Sequence, residues 1–285
     1  KIDGVELPFD NNSNTFYFPV NTNDIGKEKE LNIEIISNEV SVNIIDGKEY
    51  NDKVDLKVSI DIDKFIEIYS NSSFYDSKYY IKFTNLPTMI INNSDKLGID
   101  YVYGNLNIID SNYKENESKY SMVTDMKVRL RGASSANLPK KSYRICLYEN
   151  NNKKDLSLLG LRTDSDWILD PLYTDDSKIR TKLSYDIWNL INRDVDKDYY
   201  ASLNCEYVEV FMGDEYLGLY LLKEPIDEDS LNLKETSSSN SGILLKGVTH
   251  DAIDFSEEKN KNIAKEVYCS LALKYPKDLK DNSTY

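Results

Sequence analysis

Short stretches of alternating apolar and polar residues dominate the first third of the chain. LNIEII (31–36), VSVNII (40–45), VDLKVSIDI (54–62), FIEIY (65–69) and YYIKFT (79–84) each place apolar side chains on one face of an extended strand. Asn, Asp, Gly and Ser separate these runs at sandwich spacing, and no helical period interrupts them. The pattern predicts an immunoglobulin-like β-sandwich over residues 1–95. INNSDKLG (91–98) is polar and reads as a linker to a second domain, residues 96–285.

In that second domain the periods mix, which predicts an α+β fold. YVYGNLNIID (101–110), VTDMKVRLRG (123–132) and SYRICLY (142–148) read as strands, and SNYKENESKYS between the first two as a solvated loop. DDSKIRTKLSYDIWNLIN (175–192) predicts a helix, with Ile179, Leu183, Ile187, Leu190 and Ile191 on one face and Asp175 and Asp176 at its start. YVEVFMGDEYLGLYLL (207–222) predicts a hairpin turning at Gly213-Asp214, and Pro225 ends its pairing. ETSSSNSG (235–242) reads as a flexible loop, GILLKG (242–247) as a strand and 256–274 as a helix closed by Pro276.

Composition narrows the functional classes. The 285 residues are 40% hydrophobic and 29% charged, enough for a packed core. No apolar run approaches the ~18 residues of a membrane span, so membrane insertion is not expected. KIDGVELPFD has neither the basic nor the apolar region of a signal peptide. Basic residues number 35 and acidic ones 49, a net charge of −14 that repels nucleic acid. His250 is the only histidine and reads as a surface loop residue, which argues against multi-His metal sites. Cys146, Cys205 and Cys269 are widely spaced, without a CxxC pair, and are expected as buried free thiols. Trp167 and Trp188 are expected in a core or interface.

Charge is also unevenly distributed. Residues 1–95 carry 9 Lys against 17 Asp and Glu, and no arginine. All six arginines (Arg129, Arg131, Arg144, Arg162, Arg180 and Arg193) lie between residues 129 and 193. The densest chemistry is Arg129-Leu130-Arg131-Gly132-Ala133-Ser134-Ser135 followed by Pro139-Lys140-Lys141-Ser142-Tyr143-Arg144. A strand delivers Arg129 and Arg131 on one face, a Gly/Ser turn offers amides and hydroxyls, and the next strand returns with Lys140, Lys141 and Arg144. Convergent cations and free amides suit a polyphosphate. The competing reading is a polar hairpin with structural ion pairs. The Walker A pattern is absent. Asp164-Ser165-Asp166 superficially resembles an acidic metal motif, but two ligands are too few without substrate oxygens.

RLRGASSANLPKKSYRICLY resembles the RG(N/S)xS…KKSY segment of the spore coat protein H (CotH) kinase family. DWILDPLYTDDSKIRTKLSYDIW is similar to that family's W-x-L…D-x-S-x-(I/M)-R-(N/T)-K-L block, and YVEVFMGDEYLGLYLLKEPID to its G-x-x-x-G-(V/L)-Y-x-L-x-E block. The three blocks fall in family order and cover about residues 98–247. The resemblance implies an atypical protein-kinase-like, β-rich lobe that transfers the γ-phosphoryl group of ATP to Ser of secreted, spore-coat or surface proteins. It implies ATP and Mg2+ as cofactors of a complete member. By position, Arg131, Gly132, Ser134 and Ser135 would form the phosphate-facing turn, with Arg129 and Arg144 beside it. Lys141, with Lys140 second, would neutralise the phosphates, Arg180 would reach the same pocket, and Glu224 would meet the nucleotide base through backbone groups. The family's catalytic and metal-binding Asp segments, N-x-D-G…H-N and W-D-x-D, do not occur here and are expected beyond Tyr285. The resemblance also implies an extracellular, cell-surface or spore-coat location and a protein substrate or surface protein partner. A non-catalytic adhesion module, and a sandwich acting only as a spacer, are the competing readings.

Overall fold

The computed structural model describes residues 1–34, 41–43, 49–50, 53–71, 76–111, 121–192, 203–233, 242–247 and 271–275. The chain divides into two compact units, Lys1–Thr181 with Cys205–Lys223, and Lys182–Asn204 with Glu224–Tyr285. Strands dominate, with a single α-helix among the described residues, giving a β-rich α+β fold.

The first eight strands are β1 (Phe9–Asp10), β2 (Thr15–Pro19), β3 (Glu28–Glu34), β4 (Ser41–Asn43), β5 (Glu49–Tyr50), β6 (Lys53–Ser59), β7 (Phe65–Asn71) and β8 (Asp76–Thr84). Six of them form a sheet in the order β1-β2-β8-β7-β4-β5, and β3 pairs β6 in a separate antiparallel ladder. Alternation decides which side chains turn inward. Leu31, Ile33, Val54 and Val58 of the ladder share one buried cluster with Phe18, Ile66, Ile68, Ile81 and Phe83 of the sheet.

The next strands are β9 (Thr88–Asn93), β10 (Val102–Ile109), β11 (Ser121–Arg131), β12 (Ser142–Glu149) and β13 (Asn152–Lys153). They are followed by a small ladder of β14 (Leu156–Ser157) and β15 (Thr163–Asp164), then β16 (Asp166–Asp170), β17 (Cys205–Met212) and β18 (Glu215–Lys223). The sheet order is β11-β10-β9-β17-β18-β16-β12-β13, and β11 also pairs β12. That extra pairing closes seven strands into a barrel and removes the exposed edges of an open sheet. All contacts in the ring are antiparallel except β9 with β17. Met89, Ile91, Leu106, Met126, Val128, Ile145, Trp167, Leu169, Val208, Val210 and Leu222 fill the interior, so the barrel is a packed core.

β9 revises the expected linker at 91–98. The three apolar residues Met89-Ile90-Ile91 supply a buried strand, and the polar tail Asn92-Asn93 still pairs with β10. Removing residues 1–95 would therefore take a stave out of the barrel.

The helix α1 (Arg180–Asn192) begins later than 175, because residues Pro171–Ile179 form turns, with Lys178 at φ +60°. Asp175 still caps it, accepting the Arg180 amide at 2.8 Å and the Ser177 hydroxyl at 2.6 Å. Its apolar side is exposed: Ile179 by 55%, Ile187 by 45% and Ile191 by 69%. Trp188 is exposed too, whereas Trp167 is fully buried.

β19 (Leu244–Gly247) pairs with β20 (Leu271–Tyr275) in the second unit. Residues 271–274 are thus strand, not helix: Leu273 pairs with Leu245, and Tyr275 with Leu244. Cys146 is a buried free thiol, as expected, and Cys205 is buried too. The predicted loop at 112–120, the run 234–241, residues 256–270, Arg193, His250 and Cys269 lie outside the described residues.

Candidate functional site

The turn that joins β11 to β12 is tightly constrained. Gly132 has φ +123°, and a Cβ there would collide with the Ser135 hydroxyl and approach the Ala136 amide to 3.0 Å. Ser134–Asn137 then form a 3₁₀ turn. Lys141 Nζ donates to the Ala136 carbonyl at 2.8 Å, tying the strand start back onto that turn.

Register arranges the side chains outside the barrel in rows. Arg129, Arg144, Ile168, Lys223 and Cys205 are successive cross-strand neighbours. The row beside it holds Arg131 opposite Ser142 and Asp170 opposite Leu221, which in turn faces Tyr207. A third row holds Leu219 and Glu209. Two of the expected arginines point away from the turn: Arg129 stacks 5.1 Å over the Tyr101 ring, and Arg144 pairs with Asp166 at 3.2 Å. Asp166 also pairs with Lys153 at 2.5 Å and Asp164 pairs with Arg162, so both acids of the superficial metal motif are met by cations.

β16 stops at Asp170, so the Leu219 carbonyl of β18 lies past its last partner. Lys140 fills that place. Its Nζ donates to Leu219 O at 2.5 Å and stands 4.2 Å over the Tyr220 ring. Gly218, at φ +94°, lies beside the ammonium. Burial, then the neighbouring Lys178 charge, pulls the Lys140 ammonium down to about 8, against the opposing pull of Glu209 and Asp170. Lys178 Nζ donates to Leu172 O at 2.8 Å, and the Tyr207 hydroxyl donates to Lys178 O at 2.6 Å.

Asp170 anchors the opposite charge. Burial works to raise its carboxyl. Lys223 at 2.6 Å, the Leu172 amide at 3.0 Å and the charge of Arg131 outweigh burial and hold the carboxyl below the usual range. Lys223 therefore pairs with Asp170, which also feels Arg131, and the charges of Lys178, Glu209 and Asp170 are felt at Lys140, making one charged strip on the outer face.

Of the sequence candidates, Gly132, Ser135 and Lys141 meet at the turn, Arg131 lies opposite Ser142, and Lys140 crosses to β18. The structure sets Arg129 and Arg144 in other pairings. Arg180 is at the start of α1, 3.6 Å from Asp175. Glu224 is buried, its carboxylate accepting the Asn204 amide at 3.1 Å. Sequence reasoning missed Asp170, Lys178, Glu209 and Lys223. The alternation in DWILD, with Trp167 and Leu169 inside, already put Asp170 on the outer face.

The strip can hold an anion by charge and by Lys and Arg donors. Among the described residues no three His, Cys, Asp or Glu side chains come together as a metal-holding group. A family model described as CotH kinase protein matches residues 128–282, which spans the β11–β12 turn, the Lys140 site and the β17–β18 hairpin. No curated protein matches the chain.

Proposed function

The chain belongs to the CotH kinase family, and from that membership we propose that it binds ATP as part of an atypical protein kinase acting on Ser of secreted, spore-coat or surface proteins. The observation that carries the reading is the half-buried Lys140, held on β18 against Tyr220, where the charge of Lys178 is felt. A polyphosphate needs convergent cations on a rigid frame, and a closed barrel supplies the frame.

ATP, when bound, would supply the γ-phosphoryl group for transfer. The chain's own part is charge neutralisation and positioning. Lys140 lies partly desolvated over Tyr220, so an added anion interacts with it more strongly than with a surface lysine. Asp170 holds Lys223 by an ion pair and feels the charge of Arg131, and Lys141 holds the turn closed. The described residues fit the anion. Among them no three His, Cys, Asp or Glu side chains come together to hold Mg2+.

In this reading the kinase-like domain starts at β9, ahead of the expected boundary at residue 96, and the preceding strands are an immunoglobulin-like sandwich with a core of its own. The setting is extracellular, on a cell surface or spore coat. The test is titration calorimetry of MgATP into the chain and its Lys140→Met variant. Saturable binding that falls at least about tenfold in the variant supports the proposal, and equal binding in both refutes the site.

A further inference from the structure

Glu209 of β17 faces outward, since its neighbours Val208 and Val210 point into the barrel core. Register sets it opposite Leu219 of β18, whose carbonyl accepts Lys140 Nζ at 2.5 Å. Directly opposite residues of an antiparallel pair lie about 5 Å apart at Cα, so Glu209 stands one strand away from the anchor of the ammonium. Its own backbone is fixed on the far side, where its amide donates to Pro87 O at 2.9 Å.

The carboxylate is held by a neutral donor, the Tyr216 hydroxyl. Tyr216 is fixed in turn by the N-terminal strands. Its ring centroid lies 4.7 Å from that of Tyr17, and its amide donates to Asp10 Oδ1 at 3.3 Å. Burial, then the Glu209 charge, pushes the Tyr216 hydroxyl far above its ordinary range, so it stays protonated and keeps donating. A donor that carries no charge orients the carboxylate without cancelling its field.

That field matters because little else around Lys140 protects its proton. Burial works against the charge, and so does Lys178 from the turn before α1. Glu209 pulls the other way more strongly than Asp170 of β16, which is already paired with Lys223 at 2.6 Å. Under the ammonium is the Tyr220 ring of β18, with Tyr143 of β12 6.1 Å from it. Burial pushes both hydroxyls up, so both are neutral. We propose that Glu209, oriented by Tyr216, is a positioning residue of the Lys140 site, keeping the ammonium charged on the Leu219 carbonyl for an arriving phosphate. Its consequence for affinity rests on the nucleotide reading of Lys140, whereas its hold on the charge is measured on the lysine itself.

The test follows the Lys140 Cε signal by NMR on the whole chain carrying isotope-labelled lysine, assigned by its loss in Lys140→Met. The pH midpoint of that signal should fall by at least about 0.5 in Glu209→Gln, recover most of the way in Glu209→Asp, and fall by a smaller step in Tyr216→Phe. A merely structural carboxylate would leave the midpoint in place in all three. Calorimetry then reads MgATP affinity. Relative to the unsubstituted chain, Glu209→Gln should lose at least about twofold between about pH 6 and pH 8.5. A midpoint unmoved in Glu209→Gln, or not restored in Glu209→Asp, overturns the role of Glu209, and one unmoved in Tyr216→Phe overturns that of Tyr216. A ratio of affinities constant with pH overturns the link to phosphate. A shifted midpoint in a chain that binds no MgATP refutes the nucleotide reading instead and upholds the hold on the charge.

Discussion

Lys140 and Lys141 are adjacent, yet the structure gives them different work. Lys141 is spent on the Ala136 carbonyl of its own turn, whereas Lys140 crosses to β18 and lies against Tyr220. Lys140→Met is expected to weaken MgATP binding at least about tenfold, with Lys141→Met costing less, as read by calorimetry. The same lysine sets a pH dependence. Its ammonium titrates at about 8 in the fold against an ordinary 10.5, so nucleotide affinity should fall as pH rises through about 8 and the cation is lost. The sign for stability is opposite. Between about 8 and 10.5 the unfolded lysine holds the proton that the folded one has lost, so this group's contribution to stability rises with pH. Gly132 is the other decisive residue. With φ +123° and the Ser135 hydroxyl in the way, Gly132→Ala should destabilise the chain by about 1–3 kcal/mol in urea denaturation.

At the scale of elements, local alternation revealed most strands and long-range pairing stayed hidden. The β17–β18 hairpin was legible because Gly213-Asp214 divides two alternating runs, and Gly213 indeed takes φ +56°. β9 was hidden by its polar tail, and its parallel partner β17 begins more than a hundred residues later, a pairing no local signal announces. The cation cluster was legible as composition, but the pairing of Asp170 with Lys223 depends on the register of β16 with β18. The period of α1 was readable and its exposure was not, since a helix with no buried residue shows the same 3.6-residue repeat as a packed one. That exposed stripe predicts association. Ile187→Lys should change the unfolding free energy by no more than about 0.5 kcal/mol and reduce self-association in light scattering.

In the first unit as a whole, the N-terminal strands grip the barrel. Tyr17 of β2 packs on Phe211 at 5.1 Å and Tyr216 at 4.7 Å between ring centroids. Asp10 accepts the Tyr216 amide at 3.3 Å, and the Asn11 amide donates to Asp214 O at 2.9 Å. The Tyr216 hydroxyl in turn donates to Glu209, whose charge is felt at Lys140. Burial, with Asp10 and Glu209 nearby, pushes the Tyr17 hydroxyl up to about 12, so it stays neutral at physiological pH. Tyr17→Ala should cost about 3 kcal/mol in denaturant unfolding, because the cavity opens at the junction where sheet and barrel meet. The account as a whole rests on the strip of cations being a phosphate site. The most direct measurement is calorimetric titration of MgATP into the chain and into Lys140→Met, at pH 7 and pH 9. The account predicts saturable binding at pH 7, weaker binding at pH 9 and loss of both in the variant. No binding, or affinity indifferent to pH and to the substitution, would contradict it.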